Sequence, residues 1–133
     1  MNFEFRINFE KLMIENNNKK EYNLETRTSA FGERCILMCR KIKQDVITKP
    51  LISQIVRSAT SVGANYAEAN GASSKKDFKN KIHICKKEIQ ESKHWLHMIS
   101  VAAPEISEET REIWKEAQEL TLIFGKIISK LSN

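Results

Sequence analysis

The stretch Arg57–Phe78, RSATSVGANYAEANGASSKKDF, reads as a helix, a tight stop and a second helix start, and it carries Ser58, Ala59, Ser61, Gly63, Ala64, Ala67 and Ala69 before the stop. Glycine in a helix interior costs about 1 kcal/mol relative to alanine, so a run of such small residues needs a packing reason. On a helical wheel of about 100° per residue, Ile52, Ile55, Val56, Ala59, Val62, Gly63 and Tyr66 share one side. The face opposite holds Gln54, Arg57, Ser61, Ala64, Asn65 and Glu68, far smaller than the Lys- and Glu-rich surface of an ordinary exposed helix. Small side chains let another backbone approach closely, and two packable faces require two sets of neighbours. One bundle supplies one set. The second is another subunit, unless these are plain surface positions.

Asn70-Gly71 ends this helix, where glycine can take the left-handed C-terminal cap conformation. Ser74 with Asp77 three residues on resembles a capping box that opens the next helix. Its stripe is Phe78, Ile82, Cys85, Ile89, Ser92, Leu96 and Ile99. Upstream, Leu24, Thr28, Phe31, Cys35, Met38 and Ile42 form a stripe behind Asn23, a plausible N-cap. Thr48-Lys49-Pro50 interrupts it, because proline disfavours helical geometry in the residue before it yet suits the first turn of a new helix. Beyond Pro104, Ser107 with Glu108 and Glu109 opens a last helix with the cleanest stripe: Ile113, Ala117, Leu120, Phe124, Ile127 and Leu131. Four amphipathic helices with short connections predict an all-α, antiparallel up-down-up-down four-helix bundle over residues 23–133.

Residues 1–22 read differently. Phe3, Phe5, Ile7 and Phe9 alternate with polar residues, and Asn16 to Lys20 is a polar linker. A lone strand has no partner in this chain, so the expectation is an irregular or extended, flexible N-terminal tail, or an upstream extension if Met13 is the natural start.

The bulk numbers agree with one bundle. The chain has 133 residues, 41% hydrophobic and 29% charged, with only four glycines and two prolines. No apolar run approaches the roughly 18 residues that a membrane span needs, and the start lacks a secretory signal pattern. Three cysteines without such a signal suggest a reducing, cytoplasmic setting. Cys35 and Cys85 lie in apolar stripes and read as core.

Net charge is +5, and residues 1–23 contribute none of it, since four basic side chains there offset four acidic ones. Lys75 to Lys93 holds seven lysines against Asp77, Glu88 and Glu91, whereas Glu105 to Glu119 holds six glutamates against Arg111 and Lys115. Opposite the core stripe of the third helix lie Lys76, Lys79, His83, Lys86, Lys87, Gln90, His94 and His97, with Lys75 at the helix start. A rigid row of cations suits a nucleic-acid backbone, where charge neutralisation releases counterions. The plainer reading is a solvated lysine face. No aromatic residue interleaves the row, so base stacking is not indicated.

Catalytic constellations are absent from the pattern. Glu91-Ser-Lys-His94 is a Glu-x-x-His, but no second histidine-bearing helix exists and the pair faces away from the core stripe, so no metal or cofactor is expected. No strand precedes a glycine-rich loop, and no nucleophile is paired with an oriented base. Trp95 and Trp114 flank apolar stripes and read as packing anchors. The chain reads as a non-enzyme.

Leu51 to Ile99 resembles the signature region of the bacterial four-helix-bundle proteins called 23S rRNA-intervening-sequence proteins. The most specific residues are Arg57-Ser58, Ser61-Val62-Gly63-Ala64-Asn65, Glu68-Ala69 and Ser74-Lys75-Lys76-Asp77-Phe78, with Tyr22 to Glu25 resembling the usual opening. The resemblance covers about residues 22–131. It implies a left-handed antiparallel bundle, often a ring-like homopentamer, and points to a related accessory protein of diversity-generating retroelements that engages a reverse transcriptase and nucleic acid. By that analogy Arg57, Ser61, Ala64, Asn65 and Glu68 lie at subunit contacts, with Arg57 and Glu68 hydrogen-bonding across them. Two readings follow: an oligomer binding RNA or DNA through Lys75, Lys76, Lys79, His83, Lys86, Lys87 and His94, or an oligomeric scaffold for a protein such as a reverse transcriptase.

Overall fold

The computed structural model describes residues 23–132, which form four α-helices: α1 (Leu24–Cys39), α2 (Thr48–Asn70), α3 (Lys75–Ala102) and α4 (Ser107–Leu131), with a single 3-10 turn (Pro104–Ile106) before α4. The expectation for residues 1–22 lies outside the described residues.

Local signals account for most boundaries, although Gly71 caps α2 at φ −97° rather than in the left-handed conformation. The Asn23 side chain accepts a hydrogen bond from the Thr26 N–H and starts α1. Ser74 Oγ accepts from the Asp77 N–H at 3.0 Å, while Asp77 reaches back to the Ser73 N–H. α2 begins two residues before Pro50. The reason is Asp45, whose Oδ1 accepts from the N–H groups of Ile47 and Thr48, both at 2.9 Å, and these bonds hold its carboxyl below the usual range. Pro50 then occupies the first turn, where its missing N–H is harmless.

The order of contacts makes every neighbouring pair antiparallel. Asn70 of α2 reaches Glu25 of α1, while Gly32 of α1 lies against Ala59 and Thr60 of α2. Glu68 and Arg57 of α2 meet Lys81 and Glu88 of α3 respectively. Arg27 of α1 meets Glu116 of α4, and Lys41 at the other end of α1 meets Glu109. The helices therefore run up-down-up-down. α1 and α4 are the most loosely apposed of the neighbouring helices, and ion pairs bridge them.

The predicted stripes of α1, α3 and α4 are buried throughout. In α2 the core axis is rotated slightly from the expected one: Ile55, Ser58, Ala59, Val62, Tyr66 and Ala69 are buried, whereas Ile52, Val56 and Gly63 flank them. Rotation brings Ser58 opposite Ser92 of α3, where the two hydroxyls hydrogen-bond at 2.9 Å inside the core. Hydrogen bonding is what makes this buried polar pair tolerable.

A Cβ on Gly32 would lie 3.3 Å from the Ala59 carbonyl oxygen and 3.4 Å from Thr60 Cα. A Cβ on Gly63 would lie 3.4 Å from the Ser29 backbone nitrogen. Gly32 is therefore small because the α2 backbone passes it closely, whereas Gly63 meets α1 at ordinary contact distance.

Candidate functional site

α3 has 28 residues, which is roughly 42 Å of rigid rod at about 1.5 Å per residue. Its apolar stripe points inward, so its remaining faces are set by rotation alone. Lys75, Lys76, His83, Lys87 and His94 are exposed, and Lys79 and Lys86 are half-buried on the same side. Among the described residues none of Lys75, Lys76, Lys79, Lys86 and Lys87 has an ionic partner. The row from Lys76 to His97 extends roughly 32 Å.

The acidic side chains of α3 are turned away from this row. Arg57 of α2 bridges Glu88 at 3.1 Å and Glu91 at 2.9 Å, and the hydrogen bond to Glu91 leads the interactions that raise the Arg57 pKa further. Lys81 leans the same way, to Glu68 at 3.2 Å. The α2–α3 seam thus sets two cations against three carboxylates, while the outer row keeps its positive charges unpaired among the described residues. That separation is the chief electrostatic feature of the face.

The Glu-x-x-His pattern finds no metal geometry. Glu91 is held by Arg57, and among the described residues no three His, Cys, Asp or Glu side chains gather. Burial pushes the Cys35 and Cys85 thiols up to about 12 and the Cys39 thiol to about 11. None is poised as a thiolate nucleophile.

The small face of α2 lies on the outside of the bundle, with Gln54, Arg57, Ala64 and Glu68 exposed and Ser61 and Asn65 half-buried. Arg57 and Glu68 both pair within the chain, across the α2–α3 seam. Ser61 Oγ donates to the Arg57 carbonyl at 2.7 Å, and Asn65 Nδ2 donates to the Ser61 carbonyl at 2.8 Å. Ala64 is exposed and, with Ser29, Gly32, Ile36, Thr60 and Gly63, lines a shallow groove above the α1–α2 crossing. Leu37 is 60% exposed on α1, one residue beyond Ile36.

Two features were not legible in the sequence pattern. Arg27 is buried (5% exposed) and forked onto Glu116 of α4. Its spacing, three after Leu24 and four before Phe31, was the available signal. The other is a cleft of about 430 Å³ between α3 and the start of α4, bordered by His97, Arg111 and Trp114. Trp95 packs against the core as expected, but Trp114 is 37% exposed and faces this cleft.

Together these observations define a four-helix bundle with one cationic outer face and a short, small-residue face. The chain matches the family described as 23S rRNA-intervening sequence protein over residues 20–126, and it belongs to that family. It is similar to a crystal structure from Bacteroides thetaiotaomicron of a protein with unknown function from the S23 ribosomal protein family. The two share 30% identity and a TM-score of 0.69, covering 78% of this chain and 96% of that one. No curated protein matches the chain. Among the described residues no helix is long and apolar enough to cross a membrane.

Proposed function

We propose that this chain is a non-enzymatic, self-associating bundle that binds RNA or DNA by its backbone through the outer face of α3. The observation that carries the reading is the separation of charge on that helix. Arg57 bridges Glu88 and Glu91 away from the row and offsets one of their two charges, while Lys75, Lys76 and Lys87 are exposed and Lys79 and Lys86 half-buried, all five without ionic partners among the described residues. Uncompensated cations on a rigid rod gain more from phosphate neutralisation than cations already paired.

Self-association through the α1–α2 face is the second element, with the homopentamer of the resemblance as its form. Ser61 donates its O–H and Asn65 one of its two amide N–H groups within their own helix, so covering this face leaves few donors to satisfy. Ile36 and Leu37 add exposed apolar area beside the small-residue groove. Light scattering tests this element: a mass several times 15.4 kDa is expected, and Ala64→Arg should reduce it.

The deciding experiment for binding is affinity for RNA and DNA as a function of salt, comparing wild type with Lys76→Glu/Lys79→Glu/Lys87→Glu. The reading expects affinity to fall steeply with salt and to collapse in the variant. Absence of binding at low salt would sink it. The charged row would then steer a protein partner such as a reverse transcriptase, and pull-downs would take over.

A further inference from the structure

The geometry points to the cleft between α3 and the start of α4 as a nucleobase site, which takes one unpaired base from a single strand lying along the α3 cations. The inference rests on the backbone-binding reading above and adds a strand preference to it. His97 stands at the end of the cationic row and also borders the cleft, so the two surfaces are continuous. Leu96 lies beneath, almost fully buried, and Trp114 supplies an aromatic wall from α4. A volume of about 430 Å³ falls within the size range of small-ligand pockets.

The charges around the cleft suit a base that brings its phosphate. Arg111 is exposed on its border and has no ionic partner among the described residues. Lys93, which also donates to Gln118, lies over the Trp114 ring with its ammonium 4.9 Å from the ring centre, a cation that an incoming base must displace or stack beside. Nearby carboxylates are directed elsewhere: Glu109 to Lys41 at 3.1 Å and Glu112 to Lys115 at 3.3 Å. Glu105 and Glu108 are exposed and do not line the cleft. The hydroxyls of Ser100 and Thr110 donate to the His97 and Ser107 carbonyls, which leaves their oxygens as acceptors for the amino groups of a base. Bases in a duplex keep their faces stacked on one another, so only an unpaired base has a face free for Trp114.

The test uses a 12-nucleotide single strand and its duplex, titrated into the full chain at one low salt concentration. Trp95→Phe leaves Trp114 as the sole tryptophan, and its emission should be quenched by the single strand but not by the duplex. Trp114→Leu should weaken single-strand affinity about tenfold and leave duplex affinity within twofold, as expected for loss of one stacked base. Arg111→Glu, at an exposed position, should show the same selectivity if the leucine variant folds poorly. Equal affinity for both forms in wild type, or an unchanged single-strand affinity in both variants, overturns the inference while leaving backbone binding intact. A mononucleotide binding as tightly as the 12-mer overturns it too, by assigning the cleft to a free nucleotide. If wild type binds neither strand form, the backbone-binding reading fails and the base site with it.

Discussion

Arg27 on α1 forks onto Glu116 on α4, with Nε 2.7 Å from one carboxylate oxygen and an Nη 2.8 Å from the other. Glu119 adds a third contact at 3.3 Å. The hydrogen bond to Glu116 raises the Arg27 pKa against the opposing effect of burial. This clasp closes the bundle where its neighbouring helices, α1 and α4, are most loosely apposed.

Removing one partner leaves a largely buried charge without its complement. Arg27→Ala should therefore lower stability by about 3 kcal/mol in urea unfolding. Replacing both partners, as Arg27→Met/Glu116→Leu, should recover most of that loss, because a packed apolar pair avoids the desolvation of both ions. A double variant as unstable as the single one would show that the clasp is net stabilising rather than merely self-consistent.

The glycines separate by their surroundings. Around Gly125 there is nothing within 4 Å of an added Cβ, so Gly125→Ala should raise stability by about 0.5–1 kcal/mol through helix propensity. Gly32→Ala would place its methyl 3.3 Å from a carbonyl oxygen held by α2, and backbone cannot swing aside as a side chain can. It should cost about 1–3 kcal/mol. Opposite signs for one chemical change, measured by thermal unfolding, test the close α1–α2 crossing directly.

The thiols give a pH window. Their ordinary value is 9.0, and burial raises Cys35 and Cys85 to about 12 and Cys39 to about 11. The folded chain thus keeps its thiol protons at a pH where the unfolded chain loses them. The associated stability is complete below pH 9 and declines as pH rises from about 9 towards 11–12. Native protein at pH 8 should also react slowly with a disulfide reagent, and the three thiols should become titratable together on unfolding. Fast native reaction at any of them would contradict the burial.

Arg57 offers a test of charge separation that leaves every lysine in place. Arg57→Gln frees the carboxylates of Glu88 and Glu91 beside the α3 row. Nucleic-acid affinity at low salt should fall roughly threefold, as one uncompensated charge at this range predicts, and more salt should erase the difference. Light scattering on the same variant reports whether its assembly is unchanged.

Much of the fold is legible in residue spacing. The stripes from Phe31 to Met38, Phe78 to Ile99 and Ile113 to Leu131 sit where a period near 3.6 puts them, and Asn23 and Ser74 cap the helices they precede. The start of α2 was harder, because Asp45 caps from three residues upstream of Thr48 and its contribution depends on loop geometry rather than on adjacency to an apolar run. The cationic row was likewise readable along α3, since a single helix fixes the angular positions of its own residues.

Tertiary structure alone decided what stands beside what. Periodicity says which face of a helix turns inward, but it carries no information on which residues of a distant helix meet that face. Arg27 and Glu116 are 89 positions apart, and only the α1–α4 pairing makes them partners. Trp114 shares no stripe with His97, yet the α3–α4 turn sets both on one cleft and puts an aromatic wall at the end of a row that contains none. The small residues of α2 were visible from the start. That Gly32 serves the crossing within the chain, while Ala64 stays open above it, follows from backbone proximity between helices, which local sequence does not encode.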